Sequence, residues 1–169
     1  MDTVELKCGL IISEICKITL PGKKVLQKIF YFIERKGIGL GLNFCIHFYG
    51  PYSASLDRIL HSLEGNEIID INTSGATHII SMFPEAILND QLSEEEKEIV
   101  DYVINEFGRK SPLELEALST IDYAATRLLG GKYTREQVIN EVVSIKGTKF
   151  DRPSLEREYE VLIREGYVI

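Results

Sequence analysis

Apolar and polar positions alternate along this chain with two different periods, and the switches between them outline its elements. Val4, Cys8, Ile11, Ile12, Ile15 and Ile18 recur at helical spacing and predict a helix over residues 4–19, broken by Leu20-Pro21-Gly22. Val25, Leu26, Ile29, Phe30 and Ile33 mark a second helix over 22–36, with Lys24, Lys28, Tyr31 and Arg35 grouped on its opposite side. The period then drops to two. Leu42, Phe44, Ile46 and Phe48 alternate with Asn43, Cys45, His47 and Tyr49, which predicts a half-buried strand with the first set inward. Gly50-Pro51 stops that strand, and Ser53 is placed to cap a third helix carrying Leu56, Ile59, Leu60 and Leu63. Two short strands over 67–72 and 76–82 follow, joined by Thr73-Ser74-Gly75.

The second half reads as helices. Ser93 with Glu96 forms a capping box for a helix over 94–107, and Ser111-Pro112 starts another that runs to Leu129. Thr134 with Gln137 opens a helix to Ile145, and Pro153-Ser154 opens the last, which ends at Gly166 and leaves Tyr167-Val168-Ile169 as a terminal strand. The expected class is α+β and mostly helical. A winged-helix-like first half (helix, helix, strand, helix, β-hairpin) over 1–84 is followed by a helical unit over 85–169, the two packed as one domain.

Composition narrows the picture. At 169 residues with 44% apolar and 27% charged content, the chain has the make-up of a folded domain, and no stretch is long and apolar enough for a membrane span. The acidic opening Met1-Asp2-Thr3-Val4-Glu5 and three cysteines, Cys8, Cys16 and Cys45, point to reduced thiols and a cytoplasmic location. The net charge of −7 is uneven: +3 over residues 1–60, −8 over 61–110 and −2 over 111–169. Nucleic acid is disfavoured as a partner by that charge, except through a patch near the N-terminus.

Catalytic and metal-binding patterns are missing from the sequence. Cys45 and His47 share a strand face, but no CxxC accompanies them. Ser53 or Ser55 with His61 lacks a nucleophile elbow, and Gly37-Ile38-Gly39-Leu40-Gly41 lacks the Walker pattern. The expectation is therefore a protein that is not an enzyme and uses no cofactor or metal. For DNA, the predicted wing, residues 72–78, carries no Lys or Arg, so a transcription-regulator alternative rests on the stripe Lys24, Lys28 and Arg35. For a protein partner, Tyr31, Tyr49 and Tyr52 fall where rings can face outward.

The run Leu26-Gln27-Lys28-Ile29-Phe30-Tyr31-Phe32, followed by Phe48-Tyr49-Gly50-Pro51-Tyr52-Ser53, resembles the YwgA-like proteins of bacteria and archaea, and more distantly the Panacea domain of SocA-type antitoxins. The chain has no Trp, and His47-Phe48 precede the turn where Panacea domains often carry one. The resemblance implies a regulatory, antitoxin-like or adaptor module that binds another protein. Within the matching motif, Lys28, Tyr31, Tyr49 and Tyr52 are the candidate contact residues. The oligomeric state is left open, a dimer included.

Overall fold

A computed structural model describes residues 1–169, and all of its α-helices except the one that follows Gly22 start where a side chain accepts a free backbone N–H. The elements are α1 (Thr3–Cys16), α2 (Lys23–Arg35), β1 (Cys45–His47), β2 (Gly50–Tyr52), α3 (Ala54–Gly65), β3 (Ile69–Asn72), β4 (Ile79–Met82), α4 (Glu94–Phe107), α5 (Pro112–Tyr123), α6 (Arg135–Lys146) and α7 (Arg152–Arg164). The expected mostly helical α+β class is what is observed. Both predicted capping boxes form, Ser93 with Glu96 at α4 and Thr134 with Gln137 at α6. Two more form at Asp2 with Glu5 and at Ser111 with Glu114. No helix is long and apolar enough to cross a membrane.

The chain divides into two units, residues 1–45 with 53–110 and residues 46–52 with 111–169. In the first, α1 packs on α3, β4 and α4, and α2 packs on α4. Ile11, Ile12, Ile15, Leu26, Ile29, Phe30, Phe32, Leu56, Leu60, Val103 and Phe107 are removed from solvent. Phe32 and Phe107 stack with ring centroids 4.3 Å apart. Cys8 belongs to the same core, where burial pushes its thiol up to about 12, so it serves as a small apolar side chain.

β3 and β4 form an antiparallel hairpin with Ile69 opposite Met82 and Ile71 opposite Ile80. Ile69 and Ile71 point inward while Asp70 and Asn72 face water, the period-two pattern of a strand with one buried face. A stub of chain before α2 joins this hairpin: the Ile80 N–H donates to the Pro21 carbonyl and the Lys23 N–H to the His78 carbonyl, each at 2.9 Å. Gly22 sits in that stub because a Cβ there would lie 2.5 Å from Thr77 Cγ2.

Three expectations about strands are corrected. The strand predicted over 42–48 is regular only at Cys45–His47. The Leu42 N–H is taken by the Glu34 carboxylate at 3.0 Å rather than by a neighbouring strand, and Asn43 turns through a left-handed conformation at φ 52°. Gly50-Pro51 does not end the strand. Gly50 at φ 88° turns the chain back, and Gly50–Tyr52 pairs with β1 as a second two-stranded hairpin whose tip is Phe48-Tyr49. An isolated pair leaves each strand one unpaired edge, which tolerates the missing N–H of Pro51.

The terminal strand is the third correction, since Tyr167-Val168-Ile169 have no strand beside them. Gly166 at φ 71° ends the last helical turn, and the Tyr167 N–H returns to the Leu162 carbonyl at 2.9 Å. The tail is then held by side chains. Tyr159 Oη donates to the Ile169 carbonyl at 2.7 Å, and the Ile169 N–H donates to Tyr133 Oη at 3.1 Å.

In the second unit, α5 packs on α6, α7 and β2. Leu115, Leu118, Ile121, Val138, Ile139, Val142, Leu155, Tyr159 and Leu162 are buried. The helix expected to reach Leu129 keeps α geometry only to Tyr123 and continues as one π turn over Ala124–Leu128. Within that turn Thr126 Oγ1 donates back to the Asp122 carbonyl at 2.7 Å.

Candidate partner-binding site

The second unit projects the β1–β2 tip as its most exposed aromatic feature. Phe48 is 76% exposed and Tyr49 45%, with ring centroids 4.9 Å apart in an edge-to-face pair. Large apolar side chains left in water at a loop tip usually mark contact surfaces when they lie together and are held in place. Here they are held by charge.

The bracing group is Glu116, one turn into α5 and buried despite its charge. Burying a carboxylate is costly unless its oxygens are paired and hydrogen-bonded. Lys146 Nζ donates to Glu116 Oε1 at 2.7 Å, and Lys149 Nζ reaches both oxygens at 2.8 Å. Lys146 is the last residue of α6, where a cation also suits the helix dipole. Gly147 at φ 59° then turns the chain, and the Lys149 N–H bonds the Lys146 carbonyl at 3.2 Å, so both ammonium groups converge on one carboxylate.

The same two lysines reach the tip. Lys146 Nζ donates to the Phe48 carbonyl at 2.6 Å. Lys149 Nζ lies 5.3 Å from the Phe48 ring centroid and 5.0 Å from that of Tyr49, within cation–π range. His47 and Tyr52 face each other from the two strands with centroids 5.1 Å apart. Two ammonium groups against one carboxylate leave the base of the tip with one net positive charge.

The candidate residues read from sequence are placed unequally. Tyr49 is at the tip and Tyr52 is half-buried beside it. Lys28 and Tyr31 were expected to face outward from α2, and both are only 3% exposed. The physical reason at Tyr31 is the loop after α2, which folds back so that the Phe44 ring meets Tyr31 edge-on at 5.4 Å. Lys24 is exposed and Arg35 partly so, but buried Lys28 between them interrupts the basic stripe on which the DNA alternative rested.

Sequence reasoning missed Phe48, Glu116, Lys146 and Lys149. Strict alternation put Phe48 inward, and only the adjacent Phe48-Tyr49 pair before Gly50-Pro51 hinted at a turn. Glu116 carried a clearer signal, standing between Leu115 and Ala117-Leu118 on the buried side of its helix.

Residues 26–122 match the antitoxin SocA-like family, Panacea domain, and the chain belongs to that family. The matched stretch includes α2 from Leu26 onward, the β1–β2 tip and Glu116, and stops short of Lys146 and Lys149. The Panacea side of the resemblance drawn from the α2 and Tyr-Gly-Pro motifs therefore holds.

Over 153 residues the chain is also 25% identical to a DNA ADP-ribosyl glycohydrolase of Thermus aquaticus, a match that covers 86% of this chain and 42% of that protein. The chain thus spans less than half of that relative's length. This similarity overturns the expectation that the protein is not an enzyme. That expectation rested on missing local motifs, and such motifs do not represent every catalytic site.

Proposed function

We propose that this chain is an antitoxin-like regulatory module that acts by binding another protein, with the Phe48-Tyr49 tip as its contact surface. The observation that carries the reading is the family match over residues 26–122, which contains the tip and the buried carboxylate that braces it. Aromatic side chains fixed in advance bind at low conformational cost, which is the property a docking tip needs.

The relative adds chemistry to this reading. A glycohydrolase that removes ADP-ribose from DNA opposes an enzyme that attaches it, so the partner we assign is a DNA-ADP-ribosylating toxin. Co-expression with such a toxin tests it: the chain is expected to restore growth and co-purify with the toxin, and Phe48→Ala/Tyr49→Ala to abolish both. Failure of the wild-type chain to bind or restore growth would overturn the reading.

A second reading follows from the similarity to the glycohydrolase, namely that the chain takes part in releasing ADP-ribose from DNA. Incubation of the purified chain with ADP-ribosylated DNA separates the two. Release of ADP-ribose without toxin binding favours the second reading, and toxin binding without release favours the first.

A further inference from the structure

The tip has a chemical complement elsewhere on the same chain. In the first unit, the end of α3 and the chain after β4 border a groove of about 440 Å³ lined by Asn66, Glu67, Ile68, Phe83, Glu85, Ala86 and Ile87. Its shape is set by the backbone. Glu67 adopts φ 56° to leave the helix, the Phe83 N–H bonds the Ile68 carbonyl at 3.0 Å, and the Ala86 N–H bonds the Phe83 carbonyl at 3.1 Å. Ile87 is left 72% exposed at its side.

The groove is apolar along Ile68, Phe83, Ala86 and Ile87 and acidic at Glu67 and Glu85. It lies in the stretch 61–110, which carries eleven Asp/Glu against three Lys/Arg. The tip is its opposite: two exposed aromatic rings over the Lys149 ammonium, in a cluster with one net positive charge.

We infer that the chain associates with a second copy of itself, the Phe48-Tyr49 tip of one copy entering the Glu67–Ile87 groove of the other. Phe48 would lie against Phe83 and Ile87, where aromatic and aliphatic groups leave water together. Lys149 would approach Glu67 and Glu85, a rim contact that steers and orients more than it binds. Knob and groove are different surfaces, so the contact is made twice in a closed pair or head-to-tail in a longer assembly. Its small area suits a weak, reversible association. The contact does not depend on the antitoxin reading, although a tip seated in a second copy is unavailable to any other partner.

Sedimentation velocity over a concentration series tests this with the protein alone. The wild-type chain is expected to self-associate as concentration rises, less so in high salt. Phe48→Glu removes the knob and Ile87→Glu spoils the groove. Both positions are largely exposed, so circular dichroism should find each variant folded.

Each variant alone should be monomeric, with association weakened roughly tenfold or more. Mixed, they should form a 1:1 complex, because the groove of the first and the knob of the second are intact. A wild-type chain that stays monomeric throughout overturns the inference. So does a mixture of folded variants that associates no more than either variant alone, or association that survives both substitutions.

Discussion

The two units stabilise their parts of the 42–53 segment by different physics. In the first, Ser53 is a neutral hub with no solvent exposure. Its hydroxyl donates to the Leu42 carbonyl at 2.6 Å and accepts the Leu56 N–H at 2.9 Å, the N-cap bond of α3. Gln27 completes the hub by accepting the Ser53 N–H at 2.8 Å and donating to the Ser53 carbonyl at 2.9 Å. In the second unit, the Phe48 carbonyl and ring are held by the ionic hub of Glu116, Lys146 and Lys149.

Neutral hydrogen bonds contribute about 1 kcal/mol each and respond little to salt. A buried ionic hub contributes little net stability against an apolar replacement, yet losing one member is severe. The foot of the hairpin is therefore fixed under most conditions, whereas the tip depends on charge balance.

The largest expected effect follows from removing the carboxylate. Glu116→Ala leaves the almost fully buried Lys146 ammonium without its counter-ion and should cost about 3–5 kcal/mol in urea denaturation. Glu116→Gln, which keeps an acceptor oxygen, should cost less. Ser53→Ala comes next. It strands the Leu42 carbonyl and the Leu56 N–H and should cost about 2 kcal/mol, nearly unchanged by added salt. Equal losses for Glu116→Ala and Ser53→Ala would erase the distinction between the two hubs.

A smaller effect tests ionic contacts away from the tip, at Lys7 and Glu96 in the first unit. The Lys7 hydrogen bond, helped by the capping contacts at Ser93, holds the Glu96 carboxyl below its ordinary range. With the folded value depressed, this stabilisation is present above the unfolded carboxylate pKa of about 4.3 and is lost as pH falls through the folded value. The pair is largely solvent-screened, so Glu96→Gln should remove less than about 1 kcal/mol at neutral pH and slightly flatten acid unfolding. The smallest expected change in stability is at the tip itself. Phe48→Ala should shift unfolding by no more than about 0.5 kcal/mol, since its ring lies mostly in water.

Legibility in the sequence followed the range of the interactions. The capping boxes at Ser93 and Thr134 and the cap at Ser53 each involve residues three apart, and all were readable from local spacing. The β1–β2 hairpin was not, because Leu42 and Phe44 continue an alternating pattern although Leu42 is tied to Glu34 in a loop. Lys28 and Tyr31 looked exposed because their helix has a charged face, and at Tyr31 the cover comes from Phe44, thirteen residues later. The ionic hub joins Glu116 to residues 30 and 33 positions away and to a tip further still, so no local pattern announces it.

The direct test of the tip as a contact surface is calorimetric titration of the purified chain into a DNA-ADP-ribosylating toxin. Wild-type chain and the Phe48→Ala/Tyr49→Ala variant are compared after thermal melts establish that their stabilities match. The account predicts binding by the wild type and a loss of roughly tenfold or more in the variant. Binding of the double variant with wild-type affinity would contradict it.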